Sequence, residues 1–90
     1  MNKTQWVLQA YHLVDRVLSE LQAQFDKWGV QQHSPERYLA ILSEEVGEAA
    51  KAVVQGDIDD MRHQLIEVAA VALAMAAHSN DLRQEWPVPR

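Results

Sequence analysis

The run from Leu65 to Ala77 carries a single charge, Glu67, in thirteen residues. A membrane-spanning helix needs about 20 apolar residues, so the run reads instead as a buried helix. From Val68 to Ala77 it is apolar on every side, and such a helix must be covered all round. A chain of 90 residues makes one domain and not two. Its own core is modest, since a chain this short hides only roughly 60–65% of its unfolded surface. The expected fold is therefore all-α: residues 1–90 form one antiparallel bundle of three main helices, completed by oligomerisation into a homodimer or homotetramer.

The rest of the chain supplies the other two helices. Val7, Tyr11, Val14, Leu18, Leu21, Phe25 and Trp28 recur at alternating spacings of four and three, a heptad stripe. They predict a helix over about 4–28 that stops at Gly29, with Trp6, Leu13 and Val17 widening the stripe. Ser34-Pro35 is a strong start signal, serine as N-cap and proline at the first helical position. It opens a helix over 35–55 whose predicted core stripe is Leu39, Leu42, Val46, Ala49 and Val53. Gly56 ends that helix and Asp57 caps a third over about 58–79, closed by Asn80. The link is so short that helices two and three must form an antiparallel hairpin. The tail over 84–90, with Trp86, Pro87 and Pro89, cannot continue a helix and is expected to be extended. It would lay Trp86 over an apolar patch of a neighbouring subunit.

Composition closes several routes. There are no cysteines, which excludes thiolate metal sites, disulfides and cysteine nucleophiles. No basic start followed by an apolar run marks a secretory signal, and the expected setting is the cytoplasm, with no membrane partner. The net charge of −5 comes from one segment: Glu44, Glu45, Glu48, Asp57, Asp59, Asp60 and Glu67 face only Lys51 and Arg62 there, while charges elsewhere cancel. That segment argues against a nucleic-acid polymer as partner.

Turning about 100° per residue, Glu44, Glu45 and Glu48 share a sector of helix two with Ile41 and Ala52. The acids are interleaved with apolar residues and do not form a uniformly wet face. Counting outward from the Gly56-Asp57 turn, Glu45, Glu48, Gln64 and Glu67 fall within about one helical turn in height. A carboxylate buried alone is costly, and Lys51 and Arg62 are too few to neutralise these acids. Such clustering suits a hard divalent cation, Mg²⁺ with Mn²⁺ as a substitute.

Glu44-Glu45-Val46-Gly47-Glu48 is an EExxE pattern on one arm of a tight hairpin, with Glu67 level on the other. Together with Lys27-Trp28-Gly29, Gln32-His33-Ser34 and Leu39-Ala40-Ile41-Leu42, it resembles the MazG-like all-α nucleoside triphosphate pyrophosphohydrolases over about residues 25 to 78. That family's second motif is ExxD. Aligning Leu65 and Val68 with its flanking apolar positions puts Gln64 at the Glu and Glu67 at the Asp. Pairing Glu67 with Ala70 instead keeps the Glu and loses the Asp. The first register retains an oxygen donor at both places; in either, one ligand is weakened.

The resemblance implies Mg²⁺-dependent hydrolysis of (deoxy)nucleoside triphosphates to monophosphate and pyrophosphate. Under it, Glu45, Glu48 and Glu67 are the expected metal ligands and Gln64 a neutral oxygen ligand. Glu44, Glu45 and Glu48 form the catalytic group, with Glu44 at a second metal or orienting the attacking water. Lys51, Lys27, Trp28 and His33 are the expected substrate contacts. Lys51 would reach a phosphate or pair with Glu48 or Glu44. Trp28 would stack on a base, although its place in the heptad stripe makes core packing the stronger expectation. Two other readings compete: a non-catalytic MazG-like nucleotide- or metal-binding protein, motivated by Gln64, and a structural helical oligomerisation module with a solvated acidic face. His12, His63 and His78 read as surface or interface residues, and Met61 and Met75 as core filler.

Overall fold

A computed structural model describes residues 1–30 and 32–79. Three helices account for nearly all of them: α1 (Lys3–Trp28), α2 (Pro35–Gln55) and α3 (Ile58–Ala77). There is no strand among the described residues, and no helix there is long and apolar enough to cross a membrane. The expected places of Asn80, Trp86 and the 84–90 tail lie outside the described residues.

The helix ends follow local chemistry. Ser34 accepts a hydrogen bond from the Arg37 N–H, with Pro35 at the first helical position. Gly56 takes the left-handed conformation (φ 70°, ψ 19°), where a side chain would be strained, and its N–H closes on Ala52 and Val53 carbonyls. Asp57 then accepts from the Asp60 N–H at 3.0 Å and starts α3. Helix α1 begins one residue earlier than the stripe suggests. Asn2 and Gln5 form a reciprocal capping box there, which satisfies two otherwise orphaned donors.

Helices α2 and α3 run antiparallel, as the short link requires. Tyr38 near the start of α2 meets His78 at the end of α3, its hydroxyl 3.3 Å from Nδ1. The seam between them is built from small residues: Ala52 is 1% exposed and Ala70 0%, with Ala49, Ile66, Val71 and Tyr38 also buried. Helix α3 packs against both α2 and α1. The C-terminal half of α1 lies beside the end of α3, where Leu21, Gln24 and Phe25 share a cleft with Ala74 and Ala77.

The predicted core stripes are corrected. On α1, Val7, Tyr11, Val14, Leu18, Phe25 and Trp28 are exposed; the half-buried face keeps Leu21 of the stripe and the flanking Leu13 and Val17, together with Glu20 and Gln24. On α2, Leu39, Val46 and Val53 are exposed. The physical reason is close approach: alanines let α2 and α3 backbones come together, and the larger side chains are turned to a second face. Helix α3 is buried or half-buried from Ile66 to Val71 but is not covered all along, with Leu65 and Leu73 exposed.

Candidate functional site

The buried arc of α2 contains Tyr38, Ile41, Glu45, Ala49 and Ala52, and at about 100° per residue Glu45 lies at its middle. An acid thus sits where the helix faces α3, directly across from Glu67. Both side chains are half-buried, and their carboxyl groups are hydrogen-bonded to one another.

Two carboxylates this close cannot both ionise readily. The Glu45 pKa is pushed up to about 7, first by partial burial, then by the hydrogen bond to Glu67, then by the negative charges of Glu67, Glu44 and Glu48. Glu45 therefore passes from its protonated to its ionised form around neutral pH. Glu67 also receives His63, whose Nε2 stands 3.2 Å from Oε1, an ion pair when the imidazole is protonated.

Other expected members of the site are placed less centrally. Glu44 and Glu48 are exposed and act on Glu45 through their charge. The Gln64 amide donates to Asp60 Oδ1 at 3.3 Å, within its own helix. Lys51 is exposed and makes no ion pair with Glu48 or Glu44. Among the described residues, no three His, Asp or Glu side chains converge closely enough to hold a metal by themselves. The pair at hand is therefore Glu45 with Glu67, and the four-oxygen set Glu45, Glu48, Glu67 and Gln64 is not assembled in one chain.

This pair lines a cavity of about 390 Å³. Lys27, Trp28 and His33 border the same cavity, so three of the expected substrate contacts share a space with two of the expected metal ligands. Trp28 is 63% exposed and does not pack in the core; Lys27 Nζ lies 4.7 Å from its ring centroid, within cation–π range. Tyr38, 2% exposed, also borders the cavity, and its hydroxyl pKa is raised by burial, offset by a hydrogen bond from the His33 backbone. The His33 ring meets the Tyr38 ring edge-on at 5.1 Å.

Sequence reasoning missed Tyr38, Glu20, Gln24 and the tie from His63 to Glu67. The signal for Tyr38 was available: it is seven residues before Glu45, two helical turns along the same arc. No family description, curated protein or solved structure matches this chain.

Proposed function

We propose that this chain is a Mg²⁺-dependent nucleoside triphosphate pyrophosphohydrolase of the MazG-like kind. It would convert a (deoxy)nucleoside triphosphate to monophosphate and pyrophosphate in the cytoplasm, as a homodimer or homotetramer. The observation that carries this reading is the Glu45–Glu67 pair, delivered by two helices into a cavity shared with Lys27, Trp28 and His33.

The donor chemistry suits the ion. Magnesium keeps several waters and is commonly held by one or two carboxylates together with substrate phosphates, so a full protein cage is not required. Glu45 and Glu67 would hold it, with Mn²⁺ as a substitute, and bound there it would offset charge on the phosphates and on the attacking water. The proton that Glu45 holds below about pH 7 must leave first, which couples binding to pH. Glu44, the residue before Glu45, and Glu48, almost one turn after it, are exposed; they would keep the mouth of the site negative and orient water. Lys27 supplies positive charge at the cavity, and Trp28 offers a ring for a base. Lys51, exposed beyond Glu48, would meet an outer phosphate. Phosphoryl chemistry is largely positioning and charge stabilisation, and these groups supply both.

The direct test is a panel of NTPs and dNTPs with Mg²⁺, assayed for pyrophosphate. Release that disappears on chelation is the expected result. Silence across the whole panel with Mg²⁺ and with Mn²⁺ would remove the enzymatic reading. One observation favours the non-catalytic relative: Gln64 is turned to Asp60 and adds no charge to the pair. Calorimetry showing Mg²⁺-dependent nucleotide binding without turnover would select that alternative.

Oligomerisation follows from the uncovered apolar faces. Val14, Leu18 and Phe25 on α1, Leu39, Val46 and Val53 on α2, and Leu73 on α3 are all exposed. Large apolar side chains left exposed in this number favour burial in an interface. Sedimentation is expected to give a dimer or tetramer, and Leu18→Asp to shift it toward monomer. A wild-type protein that sediments as a monomer at tens of micromolar (~10⁻⁵ M, well above a typical specific Kd) would count against self-association.

A further inference from the structure

Opposite the carboxylate pair, the cavity is bordered by α1, which contributes Glu20 and Gln24. Both are half-buried, and the Gln24 Nε2–H donates to Glu20 Oε1 at 3.5 Å. They are one turn apart on the inner face of α1, and Gln24 is one turn before Trp28. No cation pairs with Glu20 among the described residues, so its carboxylate keeps most of its acceptor capacity. Gln24 retains a second N–H and its carbonyl oxygen. A half-buried acid with one long hydrogen bond contributes little to stability here, and its partnerless acceptors border a space open to a ligand.

We infer that Glu20 and Gln24 form a base-reading edge that selects nucleotides carrying an exocyclic amino group over uracil and thymine. This rests on the reading of the cavity as a nucleotide site. The chemistry is donor and acceptor matching. Adenine and cytosine each present an amino donor beside a ring-nitrogen acceptor, which pairs with an accepting Glu20 oxygen and a donating Gln24 N–H. Guanine presents two adjacent donors, N1–H and N2–H, which one carboxylate accepts side by side. Uracil and thymine present a single N3–H flanked by two carbonyl oxygens. A carboxylate that accepts that proton sets its second oxygen against a carbonyl, two acceptors with nothing between them. Carboxylates accept from the cytosine amino group, and glutamine from or to adenine, in protein–nucleic acid recognition generally. Trp28, exposed at the same cavity, provides the stacking surface, which is tolerant of base identity and leaves discrimination to the edge.

The experiment compares dATP, dCTP, dGTP, dUTP and dTTP by kcat/KM, and the corresponding monophosphates by titration calorimetry, which needs no turnover. Wild type is expected to favour the amino-bearing bases by about 10-fold or more, in turnover and in binding. Glu20→Gln, which replaces an acceptor-only group by one that can also donate, is expected to bring that ratio to about one. Gln24→Leu is expected to weaken adenine and cytosine more than guanine. Equal handling of all five nucleotides by wild type, or an unchanged ratio in Glu20→Gln, overturns the base-reading edge while leaving the hydrolase standing. Failure of every nucleotide to bind or react overturns both.

Discussion

Replacing Glu45 with glutamine is expected to leave the chain folded while reducing pyrophosphate release by at least the 10- to 100-fold typical of outer partners of a metal site. The two consequences separate because the residue does two different things. As a helical side chain on the seam, it fills space beside Tyr38, Ala49 and Ala52 and bonds to Glu67. Glutamine has the same shape and can donate to the Glu67 carboxylate, so both roles survive. As a ligand, it contributes a negative charge and an anionic oxygen, and glutamine contributes neither. Glu44→Gln and Glu48→Gln are expected to be milder, because those carboxylates are exposed and water can take their place. Thermal melts give a second readout. A metal bound only to the folded state raises the melting temperature, and in Glu45→Gln that rise is expected to vanish. If Glu45→Gln retains wild-type turnover and a wild-type response to Mg²⁺, the pair is not the metal site.

How much of this was legible depends on the kind of signal. Helix boundaries were, because caps are local chemistry: Ser34-Pro35, Gly56 and Asp57 each do in the structure what their residue types dictate. The hairpin was legible for the same reason, and it put Glu45 and Glu67 at one height. Rotation about the helix axis was not. Periodicity reports that a helix has an apolar face, not which neighbour that face meets, and α2 has two. The face with Leu39, Val46 and Val53 is the more hydrophobic, yet it is exposed. The face with Ala49 and Ala52 is paler in hydropathy and wins the intrachain contact, since small side chains admit a second backbone. With α2 turned that way Glu45 moves to the seam, whereas Glu48 stays outside. The same ambiguity affects Trp28, whose heptad position suits a partner helix that one chain does not supply.

Without metal, the folded chain is expected to lose stability as pH rises through neutrality, and Glu45 is the cause. Its carboxyl group has a pKa of about 7 when folded, against 4.5 ordinarily. Below about pH 4.5 both folded and unfolded states are protonated, and the favourable contribution is fully present. Between those values the unfolded chain has released its proton and the folded one has kept it, so each step up in pH favours unfolding. Above about pH 7 the folded pair is forced to carry both charges and the contribution is gone. A shift of this size, discounted for the solvent that reaches a half-buried site, corresponds to about 1–2 kcal/mol. For a domain of this length each kcal/mol moves the melting temperature by roughly 4–8 °C. Glu45→Gln removes the titrating group and should flatten that part of the profile, so at pH 8 the variant melts above wild type. His63 and other titrating groups remain in both proteins, and the difference between the two profiles therefore isolates Glu45. Mg²⁺ acts in the opposite sense. Protons compete with it for the same oxygens, so its stabilisation of wild type should be absent near pH 5 and grow toward pH 8. Parallel stability profiles for wild type and Glu45→Gln would mean that the Glu45 carboxyl group is not raised to near neutrality in solution.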